Sequence, residues 1–207
     1  MATIAPETGE RTVTIQEPRS DGERNEMAAI GAIGADGRAA APPPSPAEAR
    51  GGAPGDLPIA KTAIEARSVL NEAYDYAKPS SFTRGLRFDL GDTSILLISG
   101  TASVDEAGRT THVGDFRAQL WRTYRNITTL LASEGATWHD IVRTTCYLRD
   151  IERDYKDFND VRTEFFTWLR LNPLPASTAI QARICREDLL VEIEAIAIVP
   201  RDRRRPA

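Results

Sequence analysis

The sequence predicts an α+β fold, a mixed sheet with two helices on one face. Three observations carry that expectation. Two stretches, Asp115 to Glu134 and Tyr155 to Leu169, repeat their apolar residues at helical spacing. Runs of strand character flank them at residues 93–99, 141–148 and 174–199. The order strand, helix, strand, helix, strand, strand occupies about 130 residues, too few for helices on both sides of the sheet. One sheet face is left to be buried by something else, and another copy of the same chain is the natural cover.

Residues 1–60 stand outside this fold. They contain no aromatic residue and are crowded with Ala, Gly and Pro, including Ala41-Pro42-Pro43-Pro44-Ser45-Pro46. Such a segment buries too little apolar area to offset its ordering entropy, so it reads as a disordered tail. Its alternative is a docking peptide for a protein partner, and Arg11 to Gln16 would form a strand if an edge were offered. Residues 61–77 read as a short helical lead-in that Pro79 stops.

The compact domain follows over residues 78–200. Ser80 to Phe88 is a loop leading into a strand. Thr93 to Ser99 is an apolar run between Gly91-Asp92 and Gly100, hence a buried strand, and Gly100 permits a close backbone approach at its end. In the first helix Phe116, Leu120, Tyr124, Ile127 and Leu131 form the apolar stripe, with Gly135 as C-terminal cap. Ile141 to Leu148 alternates as a strand. Phe158, Val161, Phe165 and Leu169 stripe the second helix, which Asn172-Pro173 ends. Residues 201–207 are a basic C-terminal tail.

The chain has 207 residues and a formal net charge of −4, which argues against a general nucleic-acid partner. No apolar run reaches the roughly 18 residues of a membrane span, and no secretory pattern opens the chain. The expected location is cytoplasmic. Cys146 and Cys185 are isolated, fall in predicted strands and read as buried reduced thiols. His112 and His139 are isolated too, so neither a metal site nor a cofactor is expected.

The segment Leu174 to Val199 alternates with period two over 177–185 and 189–199, broken at Arg186-Glu187-Asp188. It reads as a strand pair joined by a tight turn. Ser177, Ala179, Gln181 and Arg183 share one face of the first strand. In the second, Val191, Ile193, Ala195 and Ala197 face one way while Glu192 and Glu194 face the other. Two carboxylates roughly 7 Å apart on one face are either a solvated surface or acids lining a pocket, where each shifts the other's proton affinity.

Several motifs resemble the Rid family, also called the YjgF-type or endoribonuclease L-PSP family. They are LLISGTASVDEAGRTTHVGD with the helix after it, YKDFNDVRTEFF, LPAST and VEIEAIA. The resemblance spans about Lys78 to Pro200 and implies a chorismate-mutase-like fold, a homotrimer and ligand clefts between subunits. It implies hydrolysis of enamines or imines to keto acids and ammonia. It marks Ser99, Gly100, Asn159 and Glu192 as site residues, with Glu192 and Asn159 in catalytic roles and Ala179 and Glu194 lining the pocket. Ser177 departs from the pattern, because deaminating members carry a carboxylate-binding arginine there. Arg183 lies roughly 20 Å along the strand, whereas Arg84 belongs to the loop SSFTRG. That loop borders the cleft in family members, so Arg84 is either the replacement cation or a surface loop arginine. ISGTAS, THVGD and the final strands also resemble the C-terminal half of chorismatases.

Three functions are compatible with these residues. The first is a Rid-like hydrolase or deaminase on an enamine, imine or unsaturated carboxylate. The second is a chorismatase-like hydrolase or lyase on a cyclic enol ether, and the third a non-catalytic trimer that binds a metabolite or protein.

Overall fold

The computed structural model describes residues 59–201 without interruption, together with isolated residues between 18 and 40. Most of the expected disordered tail, the strand at Arg11–Gln16 and most of the basic C-terminus lie outside the described residues. Within 59–201 six strands form one sheet: β1 (Lys61–Ala63), β2 (Gly85–Leu90), β3 (Thr93–Ala102), β4 (Ile141–Leu148), β5 (Ala176–Gln181) and β6 (Val191–Pro200). Their spatial order is β1-β2-β3-β6-β4-β5. Every neighbouring pair is antiparallel except β4 and β5, so the sheet is mixed.

Two helices, α1 (Phe116–Ala132) and α2 (Ile151–Trp168), complete the α+β fold. Asp115 caps α1 by accepting from the Ala118 N–H at 3.0 Å. Asp150 does the same for α2 through Arg153 at 3.0 Å, so this helix begins four residues before the predicted Tyr155. Alternate residues of the central strands, Leu96 and Ile98 on β3 and Val191, Ile193, Ala195 and Ala197 on β6, are buried. They pack with the stripes of both helices in one core. Leu97 and Ile198 project from the opposite sheet face and stay exposed in the single chain.

Two expectations need correction. Residues 61–77 are not helical. Lys61–Ala63 pairs with the edge of β2, Ala66 and Leu70 bridge across a turn, and only Ala73–Asp75 makes a single 3-10 turn. Weak helical spacing loses to a free strand edge that satisfies the backbone groups. The last two strands are not a hairpin either. β5 runs parallel to β4 after the α2 crossover, and β6 inserts between β3 and β4. Alternation reveals which residues share a face and says nothing about which strand lies alongside. Cys185 consequently falls in the connection between β5 and β6, where it is exposed, whereas Cys146 on β4 is buried as expected.

The core centres on aromatic residues from both helices. Tyr124 stacks on Phe165 with ring centroids 4.5 Å apart, and Trp138 meets Phe165 edge-on at 5.0 Å. Phe165→Ala is expected to lower the unfolding free energy by about 3–5 kcal/mol, measured by urea denaturation. A loss below about 1 kcal/mol would show that the cluster is not the packing centre.

Candidate active site

The site residue that depends most on backbone geometry is Glu192. Between Ile98 and Thr101 the β3–β6 register shifts, so that Ser99 and Gly100 together oppose Glu194. Ser99 is tied to the preceding loop: its N–H donates to Arg84 O at 3.0 Å and its hydroxyl to Thr83 O at 2.7 Å. The bulge brings Gly100 beneath the Glu192 carboxyl. A Cβ at position 100 would lie 2.0 Å from Glu192 Oε1, so only glycine leaves the carboxyl its place.

Arg84 faces the same space, at the start of β2. It is buried, and its Nε donates to Asn71 O at 2.9 Å while Nη2 donates to the Tyr76 hydroxyl. Its guanidinium carbon sits 5.0 Å from the centre of the Tyr76 ring and 5.3 Å from that of Phe82, a cation held between aromatic faces. The Arg84 backbone N–H donates to Glu72 Oε2 at 3.1 Å, and Glu72 is fully buried. Arg84, Gly100 and Glu192 line one cavity of about 280 Å³ with Tyr76, Phe82 and Arg186. Lys78 stands there too, and Glu192 is the cavity's single carboxylate among the described residues.

Burial raises the Glu192 carboxyl above the usual carboxylate range. The Arg84 charge opposes the rise, Glu194 adds to it, and Arg186 opposes it again. Glu72 is raised for the same leading reason. The loop bearing Arg186 is pinned from two sides. Gln119 donates to Asp188 O at 2.8 Å and accepts from the Leu190 N–H at 2.8 Å, and Arg149 donates to the carbonyls of Ile184, Arg186 and Leu189.

The expected site residues form three groups within one chain, with Ala179 in none of them. Arg84, Gly100 and Glu192 meet in the cavity just described. Ser99 and Glu194 border a separate hollow on the outer sheet face, beside Arg143 and Thr145. Ser177 lies at a groove near α2, its hydroxyl 3.0 Å from Thr144 Oγ1, and Asn159 reaches it only through Arg162, which contacts both. Ala179 is half-buried on β5, paired with Cys146 and packed against the core. Glu192 and Glu194 share a face as expected, yet they line different hollows. Tyr76, Phe82 and Arg186 were not anticipated. Tyr76 and Phe82 are aromatic residues in a polar stretch without periodicity, which was the available signal. Among the described residues no His, Cys, Asp and Glu cluster could hold a metal, and no helix is long and apolar enough to cross a membrane.

The Gly100–Glu192 contact makes a direct prediction. Gly100→Ala is expected to leave the fold intact, because the clashing atom ends a flexible side chain, while displacing the Glu192 carboxyl toward solvent. Its titration, followed by carboxyl carbon NMR, is then expected to fall toward the ordinary glutamate range. An unchanged titration in the variant would refute the close approach.

Comparison with known proteins agrees with this architecture. The sequence profile of the Endoribonuclease L-PSP family matches residues 81–199. The chain is 31% identical to a RutC family protein of Pyrococcus abyssi over 104 residues, 50% of this chain and 78% of that one. It is 32% identical to the 3-aminoacrylate deaminase RutC of Acinetobacter baylyi over 106 residues, 51% of this chain and 80% of that one. Among solved structures, the Escherichia coli YjgF gene product superposes with a TM-score of 0.54 at 25% identity, covering 66% of this chain and 98% of that one. With the profile spanning more than half of the sequence and the same sheet and helices in place, the chain belongs to the Endoribonuclease L-PSP family, the Rid family expected from its motifs.

Proposed function

We propose that this chain is a Rid-type deaminase, hydrolysing a small enamine or imine carboxylate to an oxo acid and ammonia. The observation that carries the reading is the half-buried Glu192 carboxyl seated on Gly100 in the same cavity as the Arg84 guanidinium. The 32% identity to a 3-aminoacrylate deaminase supports the substrate class. The family's endoribonuclease name draws little support from a chain of net charge −4.

Arg84 pairs with the substrate carboxylate, the anion a guanidinium fork suits best. Lys78 and Arg186 add to the positive field of the cavity. Glu192 in its protonated form, the form that burial favours, delivers its proton to the enamine carbon and gives an iminium ion. Water adds to the iminium carbon, and the Glu192 carboxylate takes the proton that the water loses. The carbinolamine's hydroxyl proton passes to its nitrogen, and ammonia leaves as the C–N bond breaks and the C=O bond forms. One water is consumed, and Glu192 ends in the state in which it began. The reading includes a cytoplasmic homotrimer in which neighbouring copies cover the exposed sheet face carrying Leu97 and Ile198.

The test is ammonia and oxo-acid release when purified protein meets freshly generated 2-aminoacrylate or 3-aminoacrylate. Glu192→Gln is expected to lower kcat by about 10²–10⁴-fold, and Arg84→Lys to raise KM with a smaller effect on kcat. No acceleration over buffer by the unmodified protein would end the deaminase reading.

The pH dependence of stability has a definite sign. A carboxyl whose folded pKa exceeds its unfolded value binds more protons in the folded state, so stability falls as pH rises from the unfolded to the folded pKa. Glu192 and Glu72 both act in this direction. Glu192→Gln is therefore expected to stabilise the chain at neutral pH relative to its effect near pH 4. Thermal unfolding at both pH values checks this, and a larger gain at pH 4 would contradict the burial.

A further inference from the structure

The cavity at Glu192 holds more positive charge than one substrate carboxylate needs. Three cations line it: Arg84 just before β2, Arg186 in the loop before β6, and Lys78 in the segment ahead of residue 81, where the family profile begins. Arg84 is buried, Arg186 half-buried and Lys78 exposed, so they grade from the inside of the cavity to its mouth. Burial pushes up both the Tyr76 phenol and the Glu192 carboxyl, and in each case Arg84 and Arg186 oppose the rise. Both charges are therefore within reach of one small volume.

Among the described residues no acid forms an ion pair with any of the three. Asp105 pairs with Arg109 at 2.9 Å, and Asp188 accepts from Thr110 Oγ1 at 2.9 Å. Glu72 accepts from the backbone N–H of Arg84 rather than from its guanidinium, and burial favours the neutral form of this acid. Glu192 supplies at most one negative charge. Over the whole chain 30 acidic residues outnumber 26 basic ones, so three cations facing one carboxyl reverse the balance locally, and a concave field of that sign collects anions. Donors are open as well. A guanidinium has five N–H groups; Arg84 engages Asn71 O and the Tyr76 hydroxyl, and Arg186 reaches Gly108 O through Nη1. The remaining lining includes Ala102, Val104 and Leu189, an apolar wall beside the charged one.

We propose that the substrate carries two carboxylates, as the enamine or imine of a short 2-oxo dicarboxylic acid. Arg84 takes the carboxylate beside the reacting carbon, and Arg186 with Lys78 takes the second, toward the mouth. Hydrolysis follows the steps already given, and the second carboxylate lies outside the bonds that change. Cations on three separate segments suit two anionic groups held apart by a carbon chain, and the apolar wall favours such a chain over inorganic phosphate. The inference rests on the reading of this cavity as the substrate site, and it makes Arg186 and Lys78 the residues that set specificity.

The test is calorimetric titration of the full chain at neutral pH with two unreactive four-carbon probes, succinate and butyrate. Succinate is expected to bind about tenfold tighter than butyrate. Arg186→Gln is expected to remove most of that preference. Lys78→Gln, at an exposed position where the unfolding midpoint should not move, is expected to reduce it about threefold. Equal affinity for the two probes would overturn the inference, and a preference that survives both substitutions at full size would overturn its placement. Inorganic phosphate binding more tightly than succinate would overturn the ligand class. In turnover, freshly generated imine of oxaloacetate is expected to exceed 2-aminoacrylate in kcat/KM, and Arg186→Gln to narrow the gap. Turnover of 2-aminoacrylate without a succinate preference would sink this inference and leave the deaminase standing. A succinate preference without turnover of either compound would end the deaminase reading and support the two-anion cavity, so the two fail separately.

Discussion

The fold depends on β6 entering the sheet between β3 and β4. It forms ladders with both neighbours, and its alternate residues Val191, Ile193, Ala195 and Ala197 close the core beneath the helices. To reach that slot the chain must leave the sheet edge at β5 and pass β4. The connection doing so has little regular structure of its own. Gln119 and Arg149 satisfy its carbonyls instead, and side chains spent in this way fix both where β6 begins and where Arg186 stands. The placement of Glu192 follows from the same insertion, since it is the second residue of β6 and lies opposite Ala102.

The cavity is a balance between burial and charge. Removal from water favours the neutral form of Glu192, while Arg84 and Arg186 favour the ionised form. A strong ion pair would have locked the carboxylate, and no ion pair links Glu192 to either arginine among the described residues. Arg84 spends two of its five N–H donors on a carbonyl and a phenol and its faces on two aromatic rings, which leaves donors for a ligand. It stays charged and in place without using up the acid. This separation of a fixed cation from a poised carboxyl permits one group to bind and the other to transfer protons.

Much of this was legible in the residues. The apolar stripes of both helices, the strand at 141–148 and the inward face of β6 follow from periodicity alone, because each element buries one side. Gly100 was readable as a site of close approach, although that it makes room for Glu192 in particular required the bulge. Strand pairing was not legible: alternation in 177–181 looks the same whether β5 pairs with β4 or with β6. The grouping of the site was hidden for a related reason. Arg84 and Glu192 are 108 positions apart and meet only because β2, β3 and β6 are adjacent. The Arg162 cluster depends on side-chain packing between a helix and an edge strand, and no spacing in YKDFNDVRTEFF announces it.

The insertion of β6 also has a kinetic side. Its pairing with β3 joins residues roughly 100 positions apart, such as Ile98 and Ala195, so much of the loop-closure cost falls on this one step. Without residues 191–200, β2–β3 and β4–β5 would be two half-sheets, each with an unpaired inner edge. Direct pairing of those edges, within one chain or between two, is the misfolding route that this order of strands invites. The same segment that brings the acid to the cavity therefore acts as the wedge that keeps the half-sheets apart.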